Sequence, residues 1–216
     1  MQESKFEQRE KPNIGELVVA TGNPAKFERY AKGLKEYFDV QLSSLRDEHL
    51  KTVDEPFDTA EENARHKALE YFRQCGKPVL AVDEALYVDF LPADQQPGVH
   101  VRRFGGGEEV SDDELLTRVL ELVKKAPANN RKGRWHFAVC LARGENDLRE
   151  VQFDMPRLFI TEPSPKRLPG YPLSSIGIQD GFDKPGSELD EKECQLADAI
   201  LMAKVAAAVR KALEIK

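Results

Sequence analysis

Leu17-Val18-Val19-Ala20-Thr21-Gly22-Asn23-Pro24-Ala25-Lys26 is a short apolar run that stops at a Thr-Gly-Asn turn and restarts as an amphipathic segment. The pattern predicts a strand over residues 17–21 feeding a tight turn. Asn23 is placed as a helix N-cap, and Pro24 takes the first helical position, where its missing N–H is no loss. Lys26 then falls in the first turn, where the helix macrodipole disfavours a cation. Two readings stand: a solvated surface lysine, or a lysine sharing an anion such as a phosphate with the free backbone N–H groups of the helix start.

Working outward, the first helix is expected over 24–37 and a second strand over 40–44. Asp58 or Thr59 opens another helix, with Ala64, Ala68, Leu69 and Phe72 as its apolar stripe and an end near Gly76. Residues 78–82 form a compact apolar strand that runs into Asp83-Glu84. The stretch 91–107, with Pro92, Pro97 and a run of glycines, is expected to be mainly loop. Ser111-Asp112-Asp113-Glu114 has the capping-box pattern and opens a helix whose buried side carries Leu115, Leu116, Val119, Leu120 and Val123. Residues 135–142 and 151–160 are expected as an antiparallel strand pair joined across 144–147. A loop follows over 162–186, then a C-terminal helix with Leu196, Ala199, Ile200, Ala203 and Ala207 on one face. Alternating strands and helices predict an α/β fold with a mixed sheet. Residues 1–13 are expected to be a flexible arm and 14–216 a single domain.

The chain has 216 residues, 40% apolar and 32% charged, enough for a substantial core. A net charge of −6 argues against a surface that coats nucleic acid. Cys75, Cys140 and Cys194 are too few and too scattered for a disulfide framework or a zinc site. No apolar run is long enough to span a membrane, and the charged N-terminus lacks the apolar core of a signal peptide. A cytoplasmic location is expected.

Two acidic places stand out. Asp83 closes an apolar strand, and open α/β sheets put their sites at strand ends facing a crevice. Glu55 and Glu62 flank the start of the helix opened by Thr59. Mg²⁺ takes one or two carboxylates together with phosphate oxygens and water, which a strand-end acid and a helix-entry acid could supply beside Asn23 and Lys26. Glu62 is equally explained as a first-turn acid that suits the helix dipole. His100 and His136 are expected to be a surface and a structural histidine.

These pieces resemble, in order, the motifs of one family. Thr21-Gly22-Asn23 with Lys26 is similar to a Ser/Thr-Gly-Asn-x-x-Lys phosphate motif. Glu62-Asn63-Ala64-x-x-Lys67-Ala68 matches Glu-Asn-Ala-x-x-Lys-Ala, with Thr59 and Glu55 where that segment carries Thr and an acidic ligand. Val82-Asp83-Glu84-Ala85-Leu86 with Val88-Asp89 stands where the family has Asp-Asp-Ser-Gly-Leu-x-Val-Asp, so that Val82 takes the place of the first acid. Pro97-Gly98 with Arg103-Phe104 corresponds to Pro-Gly-x-x-x-x-Arg-Tyr. The chain resembles, from about residue 16 to residue 208, the Ham1-like inosine/xanthosine triphosphate pyrophosphatases. The resemblance implies an elongated mixed sheet in two lobes around a central nucleotide cleft, hydrolysis of non-standard purine nucleoside triphosphates to monophosphate and pyrophosphate, Mg²⁺ dependence and a homodimer. By position, Asp83 would be the general base and would hold Mg²⁺ with Glu55. Thr21, Gly22, Asn23 and Lys26 would grip the triphosphate, with Glu84, Arg103, Tyr171 and Lys184 as further substrate contacts.

The chain departs from the pattern in two places. Glu84-Ala85 replaces Ser-Gly after Asp83, adding a negative charge near the base and removing a glycine from what is expected to be a turn. In the base-recognition half, Phe-Gly-Tyr-Asp-Pro is represented by Pro169-Gly170-Tyr171-Pro172. The usual Lys and Ser-His-Arg fall on Cys194 and on Asp198-Ala199-Ile200. A pocket without those polar groups is expected to discriminate poorly between bases. Two rival readings follow: a degenerate member that binds nucleotide without hydrolysis, and a Maf-like pyrophosphatase of modified pyrimidine nucleotides.

Overall fold

Leu17, Val18, Val19 and Ala20 are all buried, because their strand is covered on both faces and successive side chains alternate between two cores. Leu17 and Val19 pack with Tyr30, Leu34, Phe38, Met202 and Val205. Val18 and Ala20 pack with Ala60, Ala64, Ala68 and Tyr71 on the other face. A computed structural model describes residues 10–104 and 108–215. What the sequence predicts for residues 1–9, Gly105–Gly107 and Lys216 lies outside the described residues.

The sheet has the order β2-β1-β3-β4-β5-β6. It comprises β1 (Asn13–Val19), β2 (Asp39–Ser44), β3 (Val79–Val88), β4 (Lys132–Gly144), β5 (Asp147–Phe159) and β6 (Gly177–Gln179). β2, β1 and β3 are parallel, and β3 through β6 are antiparallel. The helices are α1 (Pro24–Tyr37), α2 (Ala60–Cys75), α3 (Asp112–Lys125) and α4 (Glu191–Ala212). α1 and α4 cover one face and α2 the other, while α3 closes a third apolar cluster against Leu86, Val88, Phe104, Phe159 and Ile176. The expected mixed α/β sheet is present. Among the described residues no helix is long and apolar enough to cross a membrane.

Local signals account for most boundaries. Asn23 caps α1 and Pro24 follows it; Thr59 caps α2 through the Glu62 N–H, and α2 ends at Gly76 in the left-handed conformation that glycine adopts without a Cβ penalty. Ser111 caps α3 through the Glu114 N–H, but Glu114 turns to Arg118 instead of reaching back. The reciprocal capping box lies at α4, between Asp190 and Glu193. Pro12, expected within the arm, already accepts a bond from the Asp39 N–H at 3.0 Å.

Three expectations are corrected. β3 does not stop at Val82: it continues to Val88, paired throughout with β4, so Asp83 is mid-strand and Glu84-Ala85 is strand, not turn. The inward face of α2 carries Asn63 and Lys67 beside Ala60, Ala64, Ala68 and Tyr71, with Leu69 and Phe72 only partly covered. In α4 the buried set is Met202, Val205, Ala206, Ala208, Val209 and Ala212, and Leu196 is exposed. An alanine-rich helix offers small residues all round, so its pattern fixes the helix but not its rotation.

The larger apolar residues of α4 decide that rotation, and Gly33 of α1 lets the two helices approach. A Cβ on Gly33 would lie 2.8 Å from the Met202 Cβ and 2.3 Å from its Cγ. Gly33→Val is therefore expected to destabilise the fold by about 1–3 kcal/mol through overpacking, measured as a lower urea midpoint at unchanged slope.

Candidate functional site

Topology leaves a gap in the pairing of β3. β1 reaches β3 only through Val18↔Val79 and Val19↔Leu80, followed by the Ala20 N–H to the Leu80 carbonyl at 2.8 Å. The next partner along that edge is Gly98, bridged to Leu86. Between them, among the described residues, the edge of β3 around Val82, Asp83 and Glu84 has no strand beside it. The crevice expected at the end of a strand thus exists, but the strand that ends there is β1.

Lys67 of α2 enters this gap. Its ammonium donates to Asp83 Oδ1 at 2.7 Å, to Glu55 Oε1 at 3.1 Å and to the unpaired Val82 carbonyl at 3.3 Å. The Lys67 and Asp83 side chains are 8% and 10% exposed, and Glu55 is half-exposed. Asp83 Oδ2 is buried and has no hydrogen-bond partner. Burial pushes the Asp83 carboxyl above the usual aspartate range, against the opposing pull of the Lys67 charge.

Asp83 and Glu84 are neighbours on a strand and so project to opposite faces. Asp83 faces α2, whereas Glu84 faces α1 and accepts from Lys26 Nζ at 2.8 Å. Burial disfavours the Lys26 charge, but the Glu84 carboxylate outweighs it and holds the ammonium above its ordinary value. This one contact brings the turn after β1 to the middle of β3.

The helix-start N–H groups are not free, contrary to expectation. Asn23 Oδ1 accepts from the Ala25 N–H at 2.9 Å and the Lys26 N–H at 3.2 Å, and the Thr21 hydroxyl oxygen accepts from the Asn23 N–H at 3.2 Å. What the turn offers a ligand is Lys26 Nζ, the Asn23 amide group and open space over Gly22, where an added Cβ would meet nothing within 4 Å.

Two cavities meet at the Lys26–Glu84 pair, which lines both. The first, of about 980 Å³, holds Thr21, Gly22, Tyr30, Glu55, Lys67 and Asp83. The second, of about 630 Å³, holds Asn23, Trp135, Phe137, Arg157, Tyr171 and Gln179. Lys184 lines the second cavity, but its ammonium sits 2.7 Å from Glu193. Arg103 lines neither cavity; it is half-exposed, with Glu109 at 3.9 Å. Its neighbour Arg102 pairs with Asp112 and donates to the Gly170 carbonyl, while Asp112 accepts from the Gly170 N–H at 2.7 Å. That clamp holds the segment bearing Tyr171. His136 packs within reach of Asp154 and Glu61, and His100 pairs with Asp58.

Among the described residues no group of three or more His, Cys, Asp or Glu gathers to hold a metal. Glu55 and Asp83 nevertheless converge on one ammonium, and Asp83 Oδ2 is a free hard oxygen. The pair fits Mg²⁺, which needs few protein ligands when phosphates and water complete its shell. Lys67, Arg102, Arg157 and Gln179 were not singled out as site residues from the sequence. Lys67 carried a usable signal: a charge on the inward stripe of a helix, one turn from Ala64 and from Tyr71.

A mixed sheet with a polar, cation-lined cleft at the end of its first strand defines the class of protein. The sequence model of the Ham1 family matches residues 17–171, and the chain belongs to that family. Over 140 residues it is 38% identical to a protein of Bacillus cereus named dITP/XTP pyrophosphatase, covering 64% of this chain and 66% of that one. A protein of the same name from Photobacterium profundum is 36% identical over 135 residues, 62% of this chain and 66% of the relative. These matches span just under two thirds of the relatives' own length. Among solved structures, a HAM1 protein from Coxiella burnetii superposes with a TM-score of 0.72 at 23% identity, over 92% of this chain and all of the other. A nucleoside-triphosphatase / dITP/XTP pyrophosphatase from Mycobacterium abscessus gives 0.68 at 25% identity, over 89% and 97%.

The Arg102 guanidinium and the Gly170 N–H hold the Asp112 carboxyl below the usual aspartate range. A depressed acid contributes its stability above its unfolded value and loses it as pH falls through the folded one. The Tyr171 clamp is therefore intact at neutral pH and is released only in acid. Asp112→Ala is expected to speed hydrogen exchange of the Gly170 amide severalfold at pH 7, with exchange in β4 unchanged.

Proposed function

We propose that this protein hydrolyses non-standard purine nucleoside triphosphates to the monophosphate and pyrophosphate, with Mg²⁺, in a cleft made of the two cavities. The observation that carries this reading is the 2.8 Å Lys26–Glu84 contact, which joins the turn after β1 to the middle of β3, where Thr21, Gly22, Lys26 and Asp83 line one cavity. The names of the relatives, dITP/XTP pyrophosphatase, support the substrate class.

In this reading the triphosphate lies over Gly22, held by Lys26 Nζ and the Asn23 amide, and its arrival draws Lys26 away from Glu84. Asp83 Oδ2 accepts a proton from the water that attacks the α-phosphorus; the bond to the bridging oxygen breaks and pyrophosphate leaves. Lys67, bonded to the other Asp83 oxygen, fixes the carboxylate's orientation and favours its charged form. Glu55 and Asp83 would hold Mg²⁺, which when bound supplies charge neutralisation and polarisation of the phosphate. Tyr171 offers a stacking surface for the base. Arg103 and Lys184 have no part in this arrangement. We take residues 14–216 to form one unit with two lobes around this cleft, working as a homodimer in the cytoplasm. Sedimentation at twice the 24.4 kDa chain mass tests the dimer.

The deciding experiment is pyrophosphate release from ITP and XTP with and without Mg²⁺. Asp83→Asn is expected to lower turnover by about a hundredfold to ten-thousandfold while the protein stays folded by circular dichroism. Activity within about twofold of the parent would remove Asp83 from the chemistry. Lys67→Met leaves Asp83 and Glu55 without their counter-charge, a loss of about 3–5 kcal/mol for a broken buried pair. Added Mg²⁺ is expected to restore much of that stability, raising the melting temperature more in Lys67→Met than in the parent. An equal Mg²⁺ effect in both would separate the metal from these carboxylates.

One contact favours a second reading, nucleotide binding without turnover: Glu84 already occupies the lysine that the triphosphate needs. Tight ITP binding with no pyrophosphate released would select it.

A further inference from the structure

The residues expected to read the base fall on Cys194 and on Asp198–Ile200, which carry no equivalent donors, yet the second cavity is not without them. Arg157 lies on the same face of β5 as the buried Met155 and Phe159, an inward position where a cation needs a reason. It stands opposite Gln179 of β6 in the strand register. Its guanidinium donates to the Pro156 carbonyl at 2.9 Å and to Gln179 Oε1 at 3.1 Å. The other cations on this wall have carboxylate partners: Lys26 with Glu84, Arg29 with Asp198, Arg102 with Asp112 and Lys184 with Glu193. Among the described residues no carboxylate pairs with Arg157. Burial pushes its guanidinium down to about 10, with Glu84 opposing.

Arginine has only donors, so the oxygen of Gln179 must face it and the amide nitrogen must face away. That nitrogen, Nε2, is buried and has no partner. Arg157 and Gln179 both line the cavity that holds Trp135, Phe137 and Tyr171, and with the Gln179 oxygen taken up by the guanidinium the side-chain groups they leave for a ligand are donors.

We infer that Arg157 and Gln179 are the specificity-determining pair of this site, reading the O6/N7 edge of a 6-oxopurine. This rests on the nucleotide-cleft reading above and replaces the expectation of poor discrimination. Two adjacent acceptors on a 6-oxopurine match two sets of donors, as in the usual bidentate arginine contact with such an edge. Adenine keeps the N7 acceptor but puts a donor amino group in place of O6, which leaves that amino group and one of the pair's donors unsatisfied. Neither residue touches the reacting phosphate, so their effect belongs to binding of the base.

The test measures, by calorimetry with Mg²⁺, the Kd of the α,β-imido analogues of ITP and ATP, with inorganic triphosphate as the control for the phosphate half. The parent is expected to favour the inosine analogue by about 10- to 100-fold. Arg157→Met should bring the two within about twofold. Gln179→Glu, nearly the same shape, turns an acceptor toward the cavity and ties up the guanidinium, so it should shift preference toward the adenosine analogue. Triphosphate affinity should change less than about twofold in either variant. A merely structural role would not reverse a base preference, and Gln179→Glu decides the matter if Arg157→Met fails to fold. No preference in the parent, or a preference that survives both changes, overturns the assignment. If the analogues bind with the expected preference but the parent nucleotides release no pyrophosphate, hydrolysis fails and the pair stands. If no nucleotide binds, both fall.

Discussion

Lys67 Nζ stands where three parts of the chain would otherwise conflict. β3 needs a partner for the Val82 carbonyl, α2 must pack against the sheet, and Asp83 and Glu55 bring two negative charges to one place. A buried carboxylate without a counter-charge is costly, and an open strand edge leaves backbone groups unpaired. One ammonium answers both at once. The arrangement also explains why α2 turns Asn63 and Lys67 inward: Asn63 ties the chain entering the helix through both backbone groups of Phe57, and Lys67 reaches the sheet. Small residues at Ala60, Ala64 and Ala68 bring the helix close enough for it to do so.

The gap that Lys67 enters is itself a product of strand lengths. β1 is short where β3 is long, and the segment around Gly98 returns only at Leu86 to cover the far part of the edge. The uncovered stretch holds consecutive acids, and strand alternation sends one to each side. Adjacent carboxylates therefore acquire separate partners, Lys67 for Asp83 and Lys26 for Glu84, instead of repelling one another across a single pocket. An acid inserted one position later would have joined Asp83 on the α2 face and overloaded the single lysine there.

Much of this was readable from the chain, for reasons that can be named. The turn at Thr21-Gly22-Asn23-Pro24 carried its own capping chemistry, and the hairpin of β4 and β5 was marked by polar residues between apolar runs. The order of the motifs placed Asp83 near Lys26 before any coordinates. Three things were hidden. The length of β3 was masked because Asp83 and Glu84 look like the end of an apolar run, while a strand with an open edge tolerates charge in its middle. The rotation of α4 was undetermined by alanines and is set by Met202 against Gly33. The donors of the second cavity were missed because Arg157 and Gln179 are far apart in sequence and ordinary in type; only the β5–β6 register brings them together. A cation between apolar inward neighbours, Met155 and Phe159, was the one trace of it.

A protein of net charge −6 would have to concentrate its cations locally to take a polyphosphate, and around this cleft most of them are already neutralised. Lys26, Lys67, Arg29, Arg102 and Lys184 each rest against a carboxylate. An incoming anion gains only the difference between its own attraction and that of the carboxylate it displaces, which weakens non-specific anion binding. Arg157, in the second cavity, is held by neutral acceptors and so is open to a ligand without any exchange; Arg46, lining the first, likewise has no ion pair among the described residues. On the proposed reading, a base bound at Arg157 displaces no carboxylate whereas a phosphate bound at Lys26 does, so discrimination would fall on the part of the nucleotide that differs between substrates.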